Sequence, residues 1–220
     1  MTALTRNEAR PHAGGGLDVF YPILPDSGWI ERLVPLGIGT VQLRLKDRSA
    51  AEIRRQIAVS LEVCRAHGCQ LIVNDYWREA LELGADYIHL GQEDLVAADV
   101  AAIKSAGARL GISTHDPAEL ELALAAGPDY IALGPIYETR LKAMKWAPQG
   151  LERLGAWKAR IGALPLVAIG GLTPPRADGV LAAGADSLAV ITDFMTADDP
   201  ADRLRTWLAW AAKKRSGTAD

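Results

Sequence analysis

Eight short apolar runs, separated by helical patterns, constrain this chain more than any other feature. The runs lie near residues 18–24, 40–45, 70–74, 86–90, 109–113, 129–133, 165–169 and 187–191. Helical patterns fall near 27–35, 50–67, 76–83, 95–106, 116–126, 150–160, 174–183 and 200–214. Strict alternation of strand and helix implies parallel βαβ units, and eight of them imply closure. The runs also end alike. Leu71-Ile72-Val73 meets Asn74-Asp75, Leu110-Gly111-Ile112 meets Ser113-Thr114-His115, and Leu166-Val167-Ala168-Ile169 meets Gly170-Gly171. Buried strands that deliver polar residues or glycine at their C-terminal ends suit an α/β fold, a single (β/α)8 TIM barrel, whose active site is built on that face. The pattern therefore points to an enzyme and says where its site lies.

The length, 220 residues, suits one such domain. Residues 1–16, polar and containing Gly14-Gly15-Gly16, are expected to form a disordered extension with no signal-peptide core. Residues 17–213 form the expected catalytic barrel, and 214–220 a frayed tail. With 24 basic and 27 acidic residues the net charge is −3, which gives no global drive toward nucleic acid or anionic membrane. No apolar run is long enough to span a bilayer. Cys64 and Cys69 read as small packed residues of a reducing, cytoplasmic protein rather than metal ligands.

A phrase recurs before three of the strands: Gly84-Ala85-Asp86, Gly127-Pro128-Asp129 and Gly184-Ala185-Asp186. Glycine stops the preceding helix and Asp falls in the turn to the strand, so these Asp residues are expected to be structural, on the face opposite the site. Ser49 and Asp116 stand where helix caps are expected.

Gln42, Arg44 and Lys46 alternate along one strand and share a face, while Leu43 and Leu45 face the helices. Inward polar groups of this kind are costly without a charged ligand. Asp75 and Asp94 follow adjacent strands. As a pair of oxygen donors without His or Cys they suggest Mg²⁺, with helix capping as the alternative for each alone. His89 reads as packing or as a donor to a neighbour rather than a ligand. Gly170-Gly171 and the strand ending in Ile191-Thr192 occupy the usual phosphate position of barrels. Two anionic substrates are implied, one of them a diphosphate. The long connection from Gly134 to Gln149 lies on the same face and is expected to be functional.

Gln42-Leu43-Arg44-Leu45-Lys46, Asn74-Asp75, His89-Leu90-Gly91-Gln92-Glu93-Asp94, Gly111-Ile112-Ser113-Thr114-His115, Gly134-Pro135-Ile136-Tyr137-Glu138-Thr139 with Lys142, and Val167-Ala168-Ile169-Gly170-Gly171 together resemble the thiamine-phosphate synthase family over roughly residues 18–212. The resemblance implies a reaction. Hydroxymethylpyrimidine diphosphate loses pyrophosphate, and the nitrogen of hydroxyethylthiazole phosphate captures the pyrimidine cation. It also implies roles. Gln42, Arg44, Lys46, Asn74, Ser113 and Lys142 would hold the diphosphate substrate, with Arg44, Lys46, Ser113 and Lys142 acting in catalysis. Asp75 and Asp94 would hold Mg²⁺. Thr139, Arg140, Leu141, Gly171, Ile191 and Thr192 would hold the thiazole phosphate, and Leu141 stands where many members carry a hydroxyl. A thiazole tautomerase is the sister reading, disfavoured by Pro135 where such enzymes carry His. A non-catalytic phosphate-binding barrel would be expected to lack Arg44, Asp75 or Lys142. The sequence leaves a homodimer open.

Overall fold

A computed structural model describes residues 16–139 and 146–217. Eight parallel strands close into a barrel in chain order. They are β1 (Phe20–Leu24), β2 (Thr40–Leu43), β3 (Gln70–Asn74), β4 (Tyr87–Leu90), β5 (Arg109–Thr114), β6 (Tyr130–Leu133), β7 (Leu166–Ile169) and β8 (Ser187–Val190). The ring closes where Phe20, Tyr21 and Pro22 of β1 pair with Leu188, Ala189 and Val190 of β8. The helices are α1 (Ser27–Leu33), α2 (Ala50–Ala66), α3 (Trp77–Glu82), α4 (Gln92–Ala97), α5 (Val100–Ser105), α6 (Pro117–Ala125), α7 (Gly150–Ile161), α8 (Pro174–Ala182), α9 (Thr192–Met195) and α10 (Pro200–Arg215). Among the described residues no helix is long and apolar enough to cross a membrane.

The two-residue period of a strand sorts the side chains into two cores. Phe20, Leu24, Val41, Leu43, Leu71, Val73, Ile88 and Leu90 point outward into the layer shared with the helices. Tyr21, Ile23, Ile72, Tyr87, Tyr130, Ala132, Val167 and Ala189 fill the barrel interior. Each fully buried aliphatic side chain of the outer layer contributes about 1.5–3 kcal/mol. The interior is unusual in holding three tyrosines. Gly111 makes one of them possible: a Cβ there would lie 2.0 Å from the Tyr130 ring.

The bottom of the barrel is tied as the repeated phrase predicts. Asp129 accepts the backbone N–H of Leu110 at 2.7 Å, and Asp186 that of Leu166 at 2.7 Å. Asp86 accepts from Gln70 at 3.0 Å. Ser49 and Asp116 cap α2 and α6, accepting from Glu52 and Glu119.

Three expectations are corrected. The helix foreseen over 95–106 is two helices, because Asp99 caps a second one, accepting the Ala102 N–H at 2.9 Å. The strand expected to reach residue 45 ends at Leu43. The tail foreseen from residue 214 begins later. Helix α10 runs through Arg215, whose guanidinium holds the buried Asp18 carboxylate with bonds of 2.8 and 2.6 Å. Residues 1–15, the bulk of the expected extension, lie outside the described residues.

Candidate active site

The C-terminal strand ends enclose a cavity of about 570 Å³. One wall carries Gln42, Arg44, Asn74, His89 and Ser113. Gln42 and Asn74 are buried, at 2% and 5% exposure, because the inward register of β2 and β3 puts them inside. Arg44 lies just past the end of β2. Its N–H bonds the Leu24 carbonyl at 2.9 Å, so it continues the strand's inward register. Lys46 stands further out, exposed, with Nζ 3.7 Å from Asp75 Oδ2. Lys46, Asp75 and Asp94 belong to the rim rather than the cavity lining.

Asp75 follows β3 in a left-handed conformation, φ 69°, which a non-glycine residue holds only at a cost of about 1–3 kcal/mol. Its N–H bonds the His89 carbonyl at 2.9 Å. Helix capping does not explain it: Tyr76 precedes α3 and no side chain caps that helix. Asp94 sits in the first turn of α4 rather than at the end of β4. It nevertheless comes within hydrogen-bonding reach of Asp75. Burial and the Asp94 charge push the Asp75 carboxyl up to about 6, against the pull of Lys46 and Arg44. Two carboxylates so close are short of positive charge. Among the described residues no third His, Cys, Asp or Glu joins them. A pair of hard oxygen donors fits Mg²⁺, which seldom takes a full protein cage and completes its shell with water and phosphate oxygens.

The opposite wall carries Thr139, Gly170, Gly171, Ile191 and Thr192. Gly171 has φ 66°, and a Cβ there would meet the Glu138 carbonyl oxygen at 2.5 Å, so only glycine fits. Sequence reasoning passed over Arg176. It donates to the Gly171 carbonyl at 2.6 Å and lies 4.4 Å over the Tyr137 ring, which adds positive charge beside the glycine turn. The two ends of the long connection are pinned together, Gln149 N–H to Pro135 O at 2.7 Å and Gly150 N–H to Ile136 O at 3.0 Å. Trp146 stacks on His115 with centroids 5.5 Å apart. Arg140, Leu141 and Lys142 lie outside the described residues.

His89 is not a metal ligand in this arrangement. Its Nε2 lies 2.8 Å from Ser113 Oγ and its Nδ1 2.6 Å from Tyr130 Oη. Burial, reinforced by the Arg44 charge, holds its pKa down at about 3, so the ring is neutral. Tyr21 and Tyr130 were missed from sequence. Burial pushes both phenols far above their ordinary pKa, so they too are neutral. The signal that could have found them was the inward register of β1 and β6, together with a glycine inside β5.

A sequence model described as thiamine monophosphate synthase matches residues 25–194. A thiamine-phosphate synthase of Rhizobium etli is 60% identical over 200 residues, covering 91% of this chain and 98% of that one. One of Escherichia coli is 46% identical over 179 residues, covering 81% and 85%. Among solved structures, a thiamine phosphate pyrophosphorylase from Pyrococcus furiosus superposes with a TM-score of 0.76 at 25% identity, covering 88% of this chain and 95% of that one.

Proposed function

This chain belongs to the thiamine monophosphate synthase family and is a transferase, and we propose that it joins hydroxymethylpyrimidine diphosphate to hydroxyethylthiazole phosphate, releasing pyrophosphate. The observation that carries this reading is that both walls open into one cavity. Gln42, Arg44, Asn74 and Ser113 face Thr139, Gly171, Ile191 and Thr192 across it. A volume of about 570 Å³ accommodates two small heterocycles side by side.

In this mechanism Gln42, Asn74 and Ser113 orient the pyrimidine. Arg44 and Lys46 set fixed positive charge against the leaving diphosphate, and Lys142 adds to it. Charge separates as the C–O bond breaks, so preorganised cations stabilise the transition state more than the ground state. Asp75 and Asp94 would hold Mg²⁺, which neutralises diphosphate oxygens when bound. Gly171 and Thr192 take the thiazole phosphate, with Thr139 and Ile191 around it, and the family resemblance adds Arg140 and Leu141 to this set. The thiazole nitrogen is thereby held against the forming cation, an arrangement that also excludes water as a competing nucleophile. The nitrogen attacks through its own lone pair, and no general base is needed.

Incubation of the protein with both phosphorylated heterocycles should yield thiamine phosphate and one equivalent of pyrophosphate when Mg²⁺ is present. Excess chelator should abolish turnover. Absence of product with Mg²⁺ would overturn the reaction. An undiminished rate in chelator would overturn the pairing of Asp75 and Asp94 on a metal.

A further inference from the structure

Behind the wall that carries Thr192 lies an ion pair that the mechanism does not use. Helix α9 begins at Thr192, where β8 ends, and is 4 residues long with no side chain capping it. Two of its residues tie it to the protein. Phe194 is fully buried in the outer core. Asp193, on the border of the cavity, is held by α10. Arg203 donates a fork to its carboxylate, Nε to Oδ2 at 2.8 Å and Nη2 to Oδ1 at 2.9 Å. Trp207 Nε1 donates to Oδ2 at 2.8 Å. Four residues apart, Arg203 and Trp207 share one face of α10. Trp207 is buried and stacks on Phe20 of β1, centroids 4.9 Å apart, so this clamp is built on the barrel wall. A two-point fork fixes direction as well as distance. The Asp193 side chain is accordingly 8% exposed although it borders the cavity. Its charge matters there. A carboxylate one position from a phosphate-binding hydroxyl would repel the phosphate if it turned inward, and the Arg203 guanidinium neutralises it.

We propose that Asp193 and Arg203 are a positioning pair for the second anionic substrate. Their fork fixes the α9 turn that presents Thr192 and keeps the Asp193 carboxylate out of the cavity. This role deepens the reading above and rests on it for the identity of that substrate as the thiazole phosphate. It also sets an order of effects. Losing the fork alone loosens the turn. Losing Arg203 loosens the turn and leaves an unbalanced negative charge beside the phosphate, which is worse. Neutralising that charge then restores part of what was lost.

A double-mutant cycle read as KM for each substrate tests this. Asp193→Asn should raise KM for the thiazole phosphate about threefold and Arg203→Met about thirtyfold, while the double variant should return to about threefold. KM for the pyrimidine diphosphate should stay within about twofold throughout, since no residue of that wall touches the pair. Arg203→Lys keeps the charge and loses the fork, so it should match Asp193→Asn; it carries the test if Arg203→Met does not fold, and wild-type KM values in it would overturn the pair. Equal effects of the two single variants, a double variant no better than Arg203→Met, or both KM values rising together would show a pair that only stabilises the fold. The failure of the reaction is seen separately. If the wild-type protein binds hydroxyethylthiazole phosphate in calorimetry but makes no product, the reaction falls and the same order is read from Kd. If it turns over and the order is absent, the positioning pair falls alone. If it binds no thiazole phosphate, both fall.

Discussion

A neutral histidine at the centre of the barrel makes stability depend on pH. His89 has an ordinary value near 6.5 and is held at about 3 by burial and by Arg44. Between these values the unfolded chain binds a proton that the folded chain refuses. Stability is therefore complete above about pH 6.5 and is lost as pH falls toward 3, with a slope of at most about 1.4 kcal/mol per pH unit. In His89→Gln that component is absent. The stability gap between the wild-type protein and His89→Gln, read from urea midpoints, should shrink as pH is lowered from 7 to 4. A gap that stays constant would show that His89 titrates alike in both states. At the same scale Asp75 was legible from sequence as a candidate ligand. Its approach to Asp94 was expected from the adjacent strands, but its left-handed backbone was not, because that depends on how β3 meets β4.

At the scale of elements, polar ties at the bottom of the barrel hold strands in register while the top is left for chemistry. The tie with the longest reach links Asp18, just before β1, to Arg215 in the last turn of α10. Asp18 is 1% exposed, and removing its guanidinium leaves a buried carboxylate with fewer donors. Arg215→Ala should cost about 1.5–3 kcal/mol, a hydrogen bond to a charged group, and lower Tm by roughly 5 °C. An unchanged Tm would mean that α10 frays there in solution, as the composition of the C-terminus had suggested. The helix ends repay the same comparison. Ser49, Asp116 and the Gly-x-Asp turns could be read from residue type because a cap is a local device. Asp99 is the same device and was passed over, since the apolar pattern on either side ran on as if through one helix.

Closure is a property of the whole molecule. With β1 paired to both β2 and β8, the barrel has no free strand edge for another segment to complete. Deleting residues 1–15, whose sequence carries no core pattern, should leave Tm within about 2 °C and turnover within about twofold. A larger loss would place that segment against the barrel. The fold itself was legible in the sequence because its causes are short-range: a two-residue period in the strands, helical spacing between them, and glycine or Asp at each turn. Gln42 and Arg44 were legible too, since a strand's period fixes which side chains point inward, whereas Asn74 and Ser113 were named as site residues only through the family resemblance. Only the tertiary structure decided which inward groups meet. Tyr21, Gln42, His89, Tyr130 and Ser113 come from five different strands, and no local pattern records that β1, β2, β4, β5 and β6 bring them into one hydrogen-bonded chain. The same holds for the site's charge. The positions of Lys46, Asp75 and Asp94 along the chain are a matter of sequence, but their placement at the rim, outside the cavity lining, follows from where each strand ends when the barrel closes.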